Sequence, residues 1–218
     1  MSQVTDPMSA RDGSVRRKPV QERSRRTVAA ILDAAEAIVD EEGVNAATTR
    51  AIANRAGVAY PSLYRFFSDR DQILDDLLAR HTMAVDALAV AGEHTWTIET
   101  AADIMNAEFN LHVAYYRAHP SAARLWLNGR LSETVIAFVQ RRIETLAGRI
   151  YALLRERDII PAEVDPRAVL LAVELADRAM VVAYRGRDDF DDELLELGRF
   201  AVNAYVDSLA ALREASAS

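Results

Sequence analysis

The chain has 218 residues, 50% hydrophobic and 27% charged, which is the composition of a soluble globular protein of one or two domains, long enough to bury a core. It contains no cysteine, which excludes disulfide scaffolds, Cys-ligated zinc or iron and thiol chemistry. No stretch reaches the roughly 18 consecutive apolar residues of a membrane span, and Met1 to Val20 lack the apolar run of a secretory signal, so a cytoplasmic location is expected.

The net charge of −7 argues against a protein that coats nucleic acid over its whole surface, yet the charge is unevenly spread. Residues 1–70 hold 11 Lys and Arg against 9 Asp and Glu, whereas residues 71–218 hold 15 against 24. The bias is sharpest around residues 1–22, a basic arm expected to be disordered. There and just beyond it, Arg11, Arg16, Arg17, Lys18, Arg23, Arg25 and Arg26 face only Asp6, Asp12 and Glu22. Such an arm is either a solvated terminus or a phosphate-binding segment.

With few Gly and Pro and no sustained apolar/polar alternation, the chain reads as all-α, with about nine helices. The first helix is predicted from about Ser24, with Val28, Ile31, Leu32, Ala35, Ile38 and Val39 on one face, and stops at Gly43. A short helix follows the N-cap Thr48 and ends at Gly57. Another is expected from Tyr60 to Phe67, with Pro61 in its first turn. Ser68 is expected to cap a longer helix that runs toward Ala91. Beyond it the spacing predicts helices from Thr97 to His119, a short one to Leu127 closed by Asn128 and Gly129, and a long one from Ser132 to about Arg157. Asp165-Pro166 opens a largely apolar helix to Tyr184, Gly186 stops it, and the last helix continues to about Leu212.

The informative segment is Thr48 to Phe67, two short helices joined at Gly57, which reads as a helix-turn-helix. Such a unit lays its second helix in the major groove, so small and polar residues belong on that helix's exposed side, and Tyr60, Ser62, Tyr64 and Arg65 are placed there. The turn pattern alone fits an ordinary helical hairpin equally well. The residue-level match decides between them: Thr48, Arg50, Ile52, Ala53, Ala56, Gly57, Val58, Leu63, Tyr64 and Phe67 fall in register with the DNA-binding domain of the tetracycline-repressor (TetR) family, which the stretch from about Arg23 to His81 resembles. Three departures stand out: Ala59 replaces the usual Ser cap, Phe66 a polar ring that commonly touches phosphate, and Arg70 a Lys.

The resemblance implies a DNA-binding domain over residues 23–69, a helical effector-binding and dimerisation domain over 70–213 and a tail over 214–218. It makes Thr48, Arg50, Tyr64 and Arg70 phosphate contacts and Tyr60 and Ser62 candidates for base edges. Arg65 carries the fork that pairs with guanine, and a phosphate contact or a solvated side chain fits it equally. From the arm, Arg16, Arg17, Lys18 and Arg23 are expected to enter the minor groove or graze its phosphates.

One helix-turn-helix covers a half-site, so a homodimer on near-palindromic double-stranded operator DNA is expected. The small residues Ala172, Ala176, Ala179 and Ala183, with Gly198, Ala201 and Tyr205 on the last helix, offer a seam for a four-helix interface like the family's, and intrachain packing is the alternative. In the family a small molecule among the middle helices releases the operator. The candidates here are Met105, Phe109, His112, Tyr116, Trp126, Phe138 and Asp177, with Asp177 expected to pair with an Arg such as Arg178 across the dimer. His81, His94, His112 and His119 are scattered, so no metal and no cofactor are expected. No phosphate loop, Gly-x-Ser-x-Gly or His-Glu-x-x-His is present, so an enzyme is not expected. The expectation is a ligand-responsive, DNA-binding transcriptional regulator, most simply a repressor. The alternatives are a helical adaptor that uses its helix-turn-helix for protein contacts, or a regulator without a small-molecule effector.

Overall fold

The computed structural model describes residues 17–127 and 132–216, and their side chains except at 17–20, 134 and 210–216. Among the described residues there are nine α-helices and no strand: α1 Arg17–Glu42, α2 Thr49–Arg55, α3 Tyr60–Leu63, α4 Arg70–Gly92, α5 Ala101–Ala118, α6 Pro120–Leu127, α7 Glu133–Glu156, α8 Pro166–Tyr184 and α9 Asp192–Ser216. The predicted stop at Asn128 and Gly129 lies outside the described residues.

Several boundaries differ from those the spacing predicts. α1 begins seven residues before Ser24, so residues 17–22, assigned to the arm, continue the helix. Its first turns are polar and lack the apolar period that marks the rest, and Pro19 sits in the opening turn, where a missing N–H is harmless. α3 ends at Leu63 with Tyr64 as its C-cap, and Arg65 to Phe67 follow as turns. The cap of α4 is Asp69, whose carboxylate accepts the Gln72 N–H at 2.8 Å; Ser68 instead donates to Asp69. α9 continues through the segment assigned to the tail, to Ser216.

The first four helices form a head. Ile31, Ala35, Ile38 and Val39 of α1 are buried together with Ile52 and Ala53 of α2, Leu63, Phe67, and Ile73 and Leu77 of α4. α1 also packs on α6, and α8 packs on both α7 and α9, while α5 lies against α9. Burying this many aliphatic side chains, each contributing about 1.5–3 kcal/mol, holds the helices in fixed order.

Two joints tie the head to the later helices. Arg124 on α6 donates to the Val39 and Asp40 carbonyls at 2.6 and 2.8 Å, in the last turn of α1, where Val39 O also accepts the Gly43 N–H at 3.0 Å. Asp40 in turn accepts the Ser121 N–H at 2.6 Å in the first turn of α6.

Candidate nucleic-acid interface and effector pocket

The head's turn is set by backbone chemistry. At the end of α2 the Gly57 N–H donates to Asn54 O at 3.2 Å and the Val58 N–H to Ala53 O at 3.0 Å, the paired bonds of a left-handed helix stop. Gly57 has φ of 66°, a value that a side chain disfavours. Thr48 caps α2 by accepting the Ala51 N–H at 3.2 Å, whereas Ala59 opens α3 with no side-chain cap.

This turn leaves Tyr60 and Tyr64 exposed side by side, their rings edge-to-face at 5.2 Å and their hydroxyls 2.8 Å apart. Thr49, not singled out by the sequence, joins them: its hydroxyl lies 3.4 Å from that of Tyr60. Hydrogen bonds from Thr49 and Tyr64, and the charge of Arg50, lower the Tyr60 pKa. Thr48, Arg50 and Arg65 are exposed on the same head, and Ser62 is half-buried. Among the described residues the Arg50 and Arg65 side chains make no hydrogen bond or ion pair. Arg23 is exposed on α1, and the side chain of Lys18 lies outside the described residues, as does the whole of Arg16.

Arg70, expected at a phosphate, is bonded within the head. Its Nε donates to Ala47 O at 2.9 Å, one Nη donates to Val44 O, and the other pairs with Asp71, so the guanidinium fastens the segment before α2. Phe66 packs against the core.

The second site lies among α5, α7 and α8. Met105, Phe109, Ile143, Leu146, Val173 and Met180 form its apolar wall, and His112, Glu108, Arg142 and Asp177 its polar one. The side chains leave only about 30 Å3 for the centre of a water-sized sphere. Of the residues expected at a pocket, Met105, Phe109, His112 and Asp177 meet here. Tyr116 and Trp126 line an adjoining cavity that shares Arg142, and Phe138 lies in an outer groove between α4 and α7.

The polar wall is tightly wired. His112 donates from Nδ1 to the Glu108 carbonyl at 2.8 Å, and its Nε2 accepts from Arg142 at 2.8 Å, which fixes the neutral tautomer. Burial, with Arg142 alongside, pushes the imidazole down to about 4. Arg142 also pairs with Asp86 at 2.8 Å, and Arg149 with Glu108 at 2.6 Å and Glu93 at 2.9 Å. Burial raises the Glu108 carboxyl against the pull of Arg149, and its second oxygen, Oε2, has no hydrogen-bond partner.

Asp177 is paired, though not as expected: Trp126 donates its indole N–H to the carboxylate at 2.8 Å. Burial raises the Asp177 pKa, while Trp126, Arg142 and Arg178 pull it down by less.

The expected dimer seam also needs correction. Ala172, Ala176 and Ala183 are buried inside the chain, and Gly198 meets Ala179 where α8 and α9 approach closest. Tyr205 is half-buried and donates to Ala168 O at 3.1 Å, so of the seven only Ala201 is exposed. The exposed apolar side chains of these helices lie elsewhere, at Leu171, Leu175 and Val182 of α8 and Leu197 and Phe200 of α9, with Phe200 73% exposed.

Residues 31–77 match the model of the bacterial regulatory proteins of the tetR family. The chain is 42% identical over 66 residues to the HTH-type transcriptional repressor KstR of Mycobacterium tuberculosis, a match covering 28% of this chain and 30% of that relative. A crystal structure of a TetR-family transcriptional regulator from Streptomyces coelicolor superposes with a TM-score of 0.64 at 26% identity, over 84% of this chain and 99% of that one. The fold is also that of FadR from Bacillus subtilis, solved in complex with stearoyl-CoA, at a TM-score of 0.62 and 19% identity over 81% and 96% of the two chains. No helix among the described residues is long and apolar enough to cross a membrane. The helix-turn-helix, its residue pattern and the arrangement of the nine described helices agree with these matches: residues 31–77 carry the DNA-binding head of the tetR-family regulatory proteins, and the chain as a whole is similar in fold to TetR-family regulators.

Proposed function

We propose that the chain is a transcriptional repressor that binds a near-palindromic operator as a homodimer and is released by an acyl-chain effector with an acidic head. The observation that carries the reading is the exposed face of the head, where the side chains of Arg50 and Arg65 have no partner among the described residues beside the Tyr60–Tyr64 pair. Unpaired guanidinium groups there are available to phosphates and guanine edges at no cost in broken ion pairs.

The effector class rests on the second site. A chain fits the apolar inner pocket only if the helices part. The outer groove adjoins it through Arg142 and Leu146, and encloses about 980 Å3 with its open solvent. Arg141 at that groove is exposed and has no side-chain partner among the described residues, so an acidic head has a cation to meet. FadR of Bacillus subtilis, which shares the fold, was solved with stearoyl-CoA.

α6 connects the two sites. Trp126 at one end holds Asp177 on the pocket wall, and Ser121 and Arg124 toward the other hold the end of α1. A ligand that displaces Trp126 therefore acts on the helix to which the head is fastened. The dimer interface is assigned to the Leu171, Leu175, Val182, Leu197 and Phe200 face, whose exposed apolar side chains gain by burial against a symmetry mate.

The test is fluorescence anisotropy with the protein's own upstream intergenic DNA against scrambled DNA across a salt series. Selective binding is expected. Arg50→Ala should flatten the slope of log K against log salt by about 0.9, Tyr64→Ala should weaken binding, and stearoyl-CoA should release the DNA where free coenzyme A does not. Phe200→Glu should shift the sedimenting species from dimer to monomer. No selective binding at any salt would favour the adaptor reading, and release by neither compound would remove the acyl effector.

A further inference from the structure

The four histidines are scattered in sequence, but the fold brings two of them together with a carboxylate. Glu36 on α1, His81 on α4 and His119 at the C-cap of α5 each offer one ligand atom, and the three lie within 4.8 Å of one another. His81 Nε2 is 3.4 Å from Glu36 Oε1, and His119 Nδ1 is 3.9 Å from the same oxygen. We propose that these three residues form a site for a divalent transition-metal cation, Zn2+ first among them, that clasps the head to the helices behind it.

The geometry suits such an ion. With metal–ligand bonds of about 2.0–2.2 Å in a tetrahedron, ligand atoms stand roughly 3.4 Å apart, so the site closes on a metal with small side-chain movements. Two imidazoles and a carboxylate match the donors that Zn2+ takes in three-ligand sites, with water in the fourth position. Access for that water follows from His119, whose side chain is 42% exposed, while His81 is buried at 5%.

Tyr115 and Arg80 orient the ligands, and Ser121 competes for one of them. Tyr115 Oη lies 3.0 Å from His81 Nδ1, so the tautomer that donates to Tyr115 frees Nε2 for the metal. The Tyr115 ring stacks on His119 at 4.4 Å and limits its rotation. Arg80 occupies the other Glu36 oxygen, Oε2, and also holds Asp33, which leaves Oε1 pointing at the histidines. Ser121 Oγ, 3.2 Å from His81 Nε2, is the hydrogen-bond partner the metal would displace. Because the ligands come from three helices far apart in sequence, the ion would cross-link α1 to α4 and α5 at the joint where α6 also grips α1.

The inference stands apart from the DNA-binding reading and is tested without DNA. Metal-stripped full-length protein is dialysed against graded ZnCl2 and bound zinc measured; Co2+ serves as a second probe through the visible absorption of a four-coordinate site. Wild type should bind one equivalent per chain that His119→Gln and Glu36→Gln each weaken by at least tenfold, with unchanged helical circular dichroism in the metal-free state. His119→Gln is the decisive variant, because its ring is half exposed and its loss leaves the Arg80–Glu36 pair intact. Zinc uptake equal in wild type and His119→Gln, or no stoichiometric uptake by wild type, would overturn the proposal and leave the cluster as a hydrogen-bonded joint.

Discussion

Gly198 decides how closely α9 lies on α8, and replacing it by Ala tests that contact. A Cβ at position 198 would stand 2.4 Å from the Ala179 Cβ. Carbon atoms in contact rest at about 3.5–4.0 Å, so the two helices must part by more than roughly 1 Å at that point. Ala179 has no rotamer by which to yield. Overpacking of this kind costs about 1–3 kcal/mol, against a gain of about 0.8–1.0 kcal/mol when Ala replaces Gly within a helix. The expected net loss is about 1 kcal/mol, a fall in Tm of about 2–4 °C for a chain of this size. Urea unfolding at fixed protein concentration is the assay, with Ala179→Gly as the partner variant. Alone, Ala179→Gly should cost about 1 kcal/mol. Combined with Gly198→Ala it merely moves the methyl across the seam, so the double variant should return to within about 0.5 kcal/mol of wild type, a coupling of about 1.5–2 kcal/mol. A rise in stability on Gly198→Ala, or additive losses in the double variant, would refute the close approach.

Two further outcomes follow from side chains whose partners are internal. Arg70→Ala removes charged donors from the Ala47 and Val44 carbonyls and should lower stability by about 1.5–3 kcal/mol in urea unfolding. It should leave the salt slope of DNA binding unchanged, whereas a fall like that expected for Arg50→Ala would return Arg70 to the phosphate contacts. For Asp177, burial raises the folded pKa above the unfolded one, so the stability linked to its proton is full below the unfolded value of 3.8 and is lost as pH rises through the folded value. Asp177→Asn keeps an acceptor for Trp126 and does not titrate. In urea unfolding its stability relative to wild type should therefore increase between about pH 4 and pH 7; a decrease would mean that Arg142 and Trp126 favour the ionised form more than burial opposes it.

Helix type and order were legible because the apolar period and the Gly and Pro stops are local signals, and the Thr48–Phe67 pattern survives in register on α2 and α3. What sequence leaves open is which neighbour covers a face. Ala172, Ala176 and Ala183 do share a stripe, but a stripe of small residues describes close approach by any helix, and these three are buried inside the same chain, Ala176 on the wall of the α5–α7–α8 pocket, while the approach of α9 falls at Ala179. The uncovered apolar face of these helices is instead that of Leu171, Leu175, Leu197 and Phe200, the large residues proposed above to meet a symmetry mate. Polar pairings were equally out of reach: Trp126 meets Asp177 across 51 positions, and Arg70 reaches carbonyls 23 and 26 positions earlier. Backbone acceptors carry no side-chain signature by which such a contact could be read. The same holds for Glu36, His81 and His119, whose encounter depends on how three helices cross.

The setting of Trp126 equips the molecule with an optical gauge. The chain has two tryptophans, Trp96 and Trp126, and the indole of the second stands between a carboxylate at its N–H and the Arg142 guanidinium 5.5 Å from its ring centre. The colour of indole emission follows the electric field along the ring, and here that field comes from the Asp177 carboxyl and the Arg142 guanidinium on the wall of the pocket. Any occupant that moves Asp177 or Arg142 changes the field and shifts the spectrum, whether or not it touches the tryptophan. With Trp96 replaced by Phe, the emission would come from that one position, so compounds could be screened in unlabelled protein, without DNA and before a regulated gene is known.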